Sequence, residues 1–238
     1  MKKLLLFLIV LGSTVFAFSS DFETLLGEFV QIRSMQDSQQ MSEFITKVEK
    51  EDLNDYEILT LLADCHREYA NWIEDKKTRE SHYKTSRELA EKAIKLNPNY
   101  GMAYYVKGAS IGQLAQMAGI IQSMFLITDF DKSIDKAMEL MPESPFPFIA
   151  KGMRDRDTPW PYRNYDKSED RFLKAIENDP AYINSYYELA LLYEIWKKKD
   201  LAAQYYRKVV EMELQTDFIV QGQESKEKAQ KWLAENGY

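Results

Sequence analysis

Two histidines and one cysteine are the side chains of this 238-residue sequence best suited to metal binding or nucleophilic chemistry. His66 and His82 fall on two helices of one predicted helix pair, where their rings could face each other. No cysteine or carboxylate cluster with metal-ligand spacing accompanies them, which favours packed or solvent-facing histidines over a metal site. Cys65 follows Leu62 on the same predicted helix, and this setting indicates a small packed residue rather than a reactive thiol.

Sequence motifs of catalysis are missing as well. The chain contains no Gly-x-Ser-x-Gly elbow, no glycine-rich phosphate loop and no His-Glu-x-x-His helix. We therefore predict that the protein is not an enzyme, with no catalytic residue, no cofactor and no metal. A net charge of −7 without a basic run also argues against nucleic acid as a partner.

Three short segments, residues 92–98, 136–142 and 174–180, read almost alike. Each has the pattern Lys-Ala-x-x-x-x-Pro, in which the proline lies five residues after the alanine. The alanine allows two helices to approach closely, and the proline ends the helix because it has no N–H to donate. Recurrence at spacings of 44 and then 38 residues indicates a helical repeat protein.

The repeat units carry a specific pattern of aromatic and small residues. It is clearest in the last unit, with Tyr186, Leu189, Ala190 and Tyr193 on the first helix and Tyr206 on the second. This pattern resembles the tetratricopeptide repeat. We predict an all-α fold, an irregular tetratricopeptide-like solenoid with capping helices at both ends. Its units are 55–98, 99–142, 143–180 and 181–214, preceded by N-terminal helices in 18–54 and followed by a C-terminal capping helix in 215–238.

The N-terminus has the layout of a secretory signal. Lys2 and Lys3 precede an apolar run over residues 4–11, and Ala17 closes a small-x-small cleavage site. This predicts a signal peptide over residues 1–17 and a periplasmic location, with an uncleaved anchor as the alternative. No cysteine lies near the cleavage site, so a lipoprotein anchor is not expected.

Irregular tetratricopeptide units behind a signal peptide resemble the periplasmic T component of tripartite ATP-independent periplasmic (TRAP) transporters. The resemblance implies a non-enzymatic accessory of a periplasmic solute-binding protein, with a partner protein or an apolar small ligand in the concave groove. It also implies a homotrimer. The alternative is a structural scaffold for envelope assembly that has no ligand cavity.

The tetratricopeptide register implies which side chains line the concave groove: the second, fifth and ninth residues of each first helix. Gly112 joins them from the uncharged segment 108–128, which we interpret as a buried central helix. The alternatives are a cavity wall, an oligomer contact or a membrane-inserted helix. An apolar groove would suit an apolar ligand or an amphipathic helix; alternatively, the end helices fold over it and make it ordinary core. The predicted groove residues are Met102, Tyr105, Ala109, Gly112, Phe146, Ile149, Met153, Tyr187 and Leu191.

A second candidate surface is the segment 154–165, between the two helices of the third unit. Its Pro-Trp-Pro-Tyr run excludes a regular helix. An exposed loop with Arg156, Trp160 and Tyr162 has the composition of a binding hot spot. The alternative is a rigid turn in which Trp160 fills a gap in the solenoid.

Overall fold

The computed structural model describes residues 14–238, except for the side chains of residues 14–21, 120 and 121. The predicted signal peptide, residues 1–17, lies outside the described side chains and, up to residue 13, outside the described backbone. Among the described helices, none is both long enough and apolar enough to span a membrane.

The described residues form helices and connecting turns, with no β-strand among them. This confirms the predicted all-α fold. A 3-10 turn, Thr216–Phe218, precedes the last helix. The α-helices are α1 Thr14–Met35, α2 Ser38–Val48, α3 Tyr56–Trp72, α4 Lys76–Leu96, α5 Gly101–Met117, α6 Ile120–Leu140, α7 Pro145–Asp157, α8 Tyr165–Asn178, α9 Ile183–Ile195, α10 Lys199–Glu211 and α11 Ile219–Asn236.

Local sequence explains where several helices begin. Asp37, Asp55, Asp75 and Asn164 each precede a helix and accept a hydrogen bond from a backbone N–H of its first turn. Such caps satisfy N–H groups that have no partner inside the helix. Pro145 opens α7, where its fixed φ is compatible with a helix and its missing N–H is not needed.

The helices pack as successive antiparallel pairs: α3 with α4, α5 with α6, α7 with α8, and α9 with α10. Ala90, Ala137 and Ala175 are fully buried between the helices. The first two units are longer than the 34-residue repeat because their helices are longer. Their helices contain 17 and 21 residues each, against 13 or 14 in the third and fourth units.

The uncharged segment 108–128 is not a single buried helix, so that interpretation was wrong. The chain turns at Ala118 and Gly119, and the segment is divided between the end of α5 and the start of α6. Beyond the turn the side chains of Met124 and Phe125 are 53% and 76% exposed. The segment is the hairpin of the second unit, and only its α5 part is largely core.

The two ends of the solenoid meet. Helix α1 packs against the 3-10 turn and against α11, although nearly the whole chain separates them. The Ser34 hydroxyl donates a hydrogen bond to the carbonyl of Thr216 and accepts one from the N–H of Ile219 at 3.3 Å. The array therefore curves round until its first helix contacts its last, and residues from both ends of the array border the concave side.

Gly152 on α7 offers a test of this packing. A Cβ added there would lie 2.6 to 3.0 Å from three atoms of the fully buried Phe172 ring. We expect Gly152→Ala to lower the free energy of unfolding by about 1 to 3 kcal/mol, because the ring has no room to retreat. Urea denaturation followed by circular dichroism measures this.

The matched control is Gly27→Ala, because a Cβ on this exposed helical glycine meets nothing within 4 Å. It should raise the free energy of unfolding by about 0.5 to 1 kcal/mol through helix propensity. Equal effects of the two substitutions would contradict the close α7–α8 contact.

Candidate functional site

The concave side of the solenoid holds a deep, partly open cavity of about 470 Å³. This volume lies within the range of small-molecule and peptide-anchor pockets. Its wall is built by the first helices of all four units together with α1, α6, Phe218 and α11. Seven of the predicted groove residues line it: Met102, Tyr105, Ala109, Gly112, Phe146, Ile149 and Met153.

The structure does not bring Tyr187 and Leu191 to this cavity. Tyr187 packs near Tyr206, with ring centroids 5.9 Å apart, and Tyr206 in turn packs on Trp232 of α11 at 4.8 Å. Leu191 is half-buried on α9, outside the lining. Asn184 and Glu188 are the residues of α9 that line the cavity. In the fourth unit the register therefore holds for its second position, Asn184, and not for its fifth and ninth.

The predicted loop hot spot is only partly a loop. Arg156 is 4% exposed and belongs to α7, which continues to Asp157, so its placement in an exposed loop was wrong. Its guanidinium binds Asp157 at 2.7 Å and Glu188 at 2.5 Å. Pairing with these carboxylates makes a helical position favourable for Arg156 despite the following prolines.

Trp160 and Tyr162 do lie in the loop, which covers residues 158–164, and they are 85% and 57% exposed. The alternative in which Trp160 fills a gap in the solenoid is therefore wrong. Thr158 and Pro159, at the start of this loop, line the cavity. The loop that carries the two aromatic side chains therefore begins at the cavity wall.

A charged cluster on α3 lies in the cavity wall. The Arg67 guanidinium contacts Asp64 at 2.6 Å and Glu68 at 2.7 Å. Desolvation raises the pKa of Asp64, opposed by the charge of Arg67. Burial alone would lower the pKa of Arg67, but the two carboxylates outweigh it and the pKa is raised. The cluster is a largely buried guanidinium that is paired with two carboxylates.

Aromatic rings continue from this cluster across the cavity. Arg67 lies over the Tyr105 ring at 5.7 Å, and Tyr105 packs on Phe146 at 5.8 Å. The Phe146 ring is 5.9 Å from the Phe218 ring, and the Arg33 guanidinium lies over Phe218 at 4.3 Å from the ring centroid. One run of rings and guanidinium groups therefore joins α3 to the two ends of the chain.

Reasoning from the repeat register missed most of the polar lining. Gln36, Gln113 and Gln116 line the cavity, and no hydrogen bond of their side chains lies within the described part of the chain. Asn184, the second residue of α9, lines it as the register implies. A carboxamide both donates and accepts hydrogen bonds, as a peptide group does. The glutamines of 108–128 were a visible signal, whereas Arg33 and Phe218 enter only because the chain ends meet.

The two histidines face each other outside the cavity. His66 Nδ1 and His82 Nδ1 are 2.7 Å apart, so one ring donates a hydrogen bond to the other. Burial, and secondarily the proximity of His82, lowers the pKa of His66 to about 4. Burial also lowers the pKa of His82. Among the described residues, no group of three or more histidine, cysteine or carboxylate side chains could hold a metal ion.

Comparison with known proteins places the chain in a family. A family model described as "Regulator of microtubule dynamics protein 1-3" matches residues 26–153, which is more than half of the sequence. The chain belongs to this family. A tetratricopeptide-repeat model also matches residues 183–216, which confirms the repeat prediction for the fourth unit. No curated protein matches the sequence.

Solved structures similar to this member of the family are tetratricopeptide proteins. A thermophilic TPR protein of Thermus thermophilus aligns with a TM-score of 0.65 at 18% identity, over 86% of this chain and 98% of that one. MamA, residues 41 to the end, from Desulfovibrio magneticus aligns with a TM-score of 0.51 at 19% identity, over 84% and 95%. At this identity the likeness concerns the fold alone.

Removal of the Arg67 side chain tests the buried cluster. Arg67→Met should lower the free energy of unfolding by about 3 to 5 kcal/mol, because the carboxylates of Asp64 and Glu68 lose their paired cation. Adding Asp64→Asn and Glu68→Gln to this variant should restore part of the loss. Guanidinium denaturation measures both, and a loss below about 1 kcal/mol for Arg67→Met would contradict the pairing.

The histidine pair predicts a pH dependence. An unfolded histidine binds a proton near its ordinary pKa of about 6.5, whereas folded His66 binds one only near 4. Between these values the unfolded state binds more protons, so stability falls as the pH is lowered from 7 to 4. The free energy of unfolding should fall by roughly 2 to 3 kcal/mol through this pair as the pH is lowered from 7 to 4. Above pH 7 the pair causes no loss of stability.

The measurement is the free energy of unfolding at several pH values, compared with the double variant His66→Leu, His82→Leu. Carboxylates titrate alike in both proteins, so the difference between the curves isolates the pair. Parallel curves would show that the histidines do not titrate as the structure implies.

Proposed function

We propose that this protein is a non-enzymatic scaffold that binds a segment of a partner protein in the cavity on its concave side. The tetratricopeptide fold, which commonly serves protein–protein interaction, supports the interaction role. The observation that carries the proposal is the convergence of seven predicted groove residues and several free carboxamides on one cavity of about 470 Å³. Met102 and Ile149 supply apolar contact, and Gln113 and Gln116 can bind the peptide backbone of the inserted segment.

The finer proposal concerns location and partner. We propose a periplasmic protein whose partner is a solute-binding protein, with an apolar ligand and a homotrimer as the TRAP resemblance implies. Its support is the sequence alone: the basic and apolar residues before Ala17 and the irregular units behind them. The comparisons do not support the TRAP resemblance, and the family model that matches is a different one.

Filling the cavity tests the proposed function. Ala109 lines the cavity, so Ala109→Trp should occupy the volume that a partner segment needs. Ala234→Trp places the same side chain on an exposed position of α11 and is the matched control. Both proteins are used as baits in cell extract, and bound proteins are quantified by mass spectrometry.

We expect at least one protein to be captured by the wild type and by Ala234→Trp, and to be captured at least tenfold less by Ala109→Trp. A solute-binding protein among those lost would support the finer proposal, and an unrelated protein would overturn it. Equal capture by the two tryptophan variants, with equal helical circular dichroism, would overturn the cavity as the binding site.

A further inference from the structure

The connection between α10 and α11 is longer than its counterparts. Between successive units the chain uses four residues: 97–100, 141–144 and 179–182. Between α10 and α11 it uses seven, residues 212–218, and the last three form the 3-10 turn Thr216–Phe218. The extra residues do not extend away from the solenoid but reach the concave side, where Phe218 lines the cavity.

The 3-10 turn is held by side-chain and backbone contacts of the kind that bind a peptide segment in a groove. The Phe218 ring lies 4.7 Å from the Tyr182 ring and 5.9 Å from the Phe146 ring, and the Arg33 guanidinium lies over it at 4.3 Å from its centroid. Ser34 binds the backbone through the Thr216 carbonyl and the Ile219 N–H. An aromatic side chain and two backbone groups are therefore recognised at one place on the groove.

We propose that Thr216–Phe218 is an internal occupant of this groove, and that the partner segment carries an aromatic side chain which replaces Phe218. The inference rests on the proposed function, since it names what the partner presents to the cavity. The Phe218 ring has two tilted aromatic neighbours, Phe146 and Tyr182, and the Arg33 guanidinium lies over it. Such contacts favour Phe, Tyr or Trp over an aliphatic side chain.

The contact leaves polar atoms unsatisfied, so the internal segment is not an optimal occupant. Arg33 Nε and Gln215 Oε1 are both buried without a hydrogen-bond partner among the described residues. An unpaired buried polar atom opposes closure. Beside the contact a groove runs between Gly27 and Val30 of α1 and Asp217. A partner that supplied the missing hydrogen bonds would compete with the internal segment.

A peptide with the chain's own residues 212–223, labelled with fluorescein, is the probe. In the wild type the internal segment competes with it at an effective concentration on the order of millimolar. Phe218→Ala in the full-length protein weakens that competitor, so we expect this variant to bind the peptide at least tenfold more tightly than the wild type, by fluorescence anisotropy. The peptide with alanine in place of Phe218 should bind the variant at least tenfold more weakly.

Two controls keep the result decisive. Phe125→Ala removes an exposed ring away from the site and should bind like the wild type. Phe218→Leu keeps apolar volume while removing the ring, so it serves if Phe218→Ala loses its helical circular dichroism. Wild-type protein with excess peptide should also show faster hydrogen exchange at the Ile219 amide, because that N–H leaves Ser34.

The proposal is overturned if the variant binds the peptide no more tightly than the wild type, or if binding does not depend on the phenylalanine of the peptide. Such a result would not contradict the cavity as the partner-binding site, provided that Ala109→Trp still abolishes partner capture. Loss of the Ala109→Trp effect, by contrast, overturns the proposed function whatever the peptide does.

Discussion

The contact between α1 and the 3-10 turn before α11 determines what the concave side of this molecule is. In an open solenoid each unit touches only its neighbours, and the concave face is a groove open to solvent. Here Ser34 binds the backbone on both sides of Phe218, and Arg33 stacks on its ring. The groove becomes a walled cavity, and every side chain that faces it has an environment set partly by residues from the opposite end of the chain.

Much of the fold was predictable because its determinants are local. The Lys-Ala-x-x-x-x-Pro segments mark the ends of α4, α6 and α8, and caps such as Asp55 mark the beginnings of others. The extra length of the first two units was also predictable from the sequence. Whether the added residues extend helices or form loops was not. Added residues lengthen helices when they keep the apolar periodicity, as α4 and α6 do, and form a loop where prolines interrupt it, as in 158–164.

The site was predictable only as far as the repeat register extends. Met102, Tyr105 and Phe146 follow from it, because equivalent helix positions face the same way in stacked units. Tyr187 does not, because α11 packs over the last unit and changes its neighbours. Arg33 and Phe218 could not be found in this way, since their place in the cavity depends on ring closure between the two ends of the chain, for which the sequence carries no periodic signal.

The unequal helix lengths make the two sides of the cavity different in height. Helices α3 and α5 are four residues longer than α7 and α9, which adds about 6 Å of wall at their C-terminal ends. Trp72 and Gln116 lie on this higher wall, and on the lower side the loop that begins at Thr158 and carries Trp160 takes its place. The two sides of the rim therefore differ in chemistry, so the partner segment proposed above would meet different groups in its two orientations.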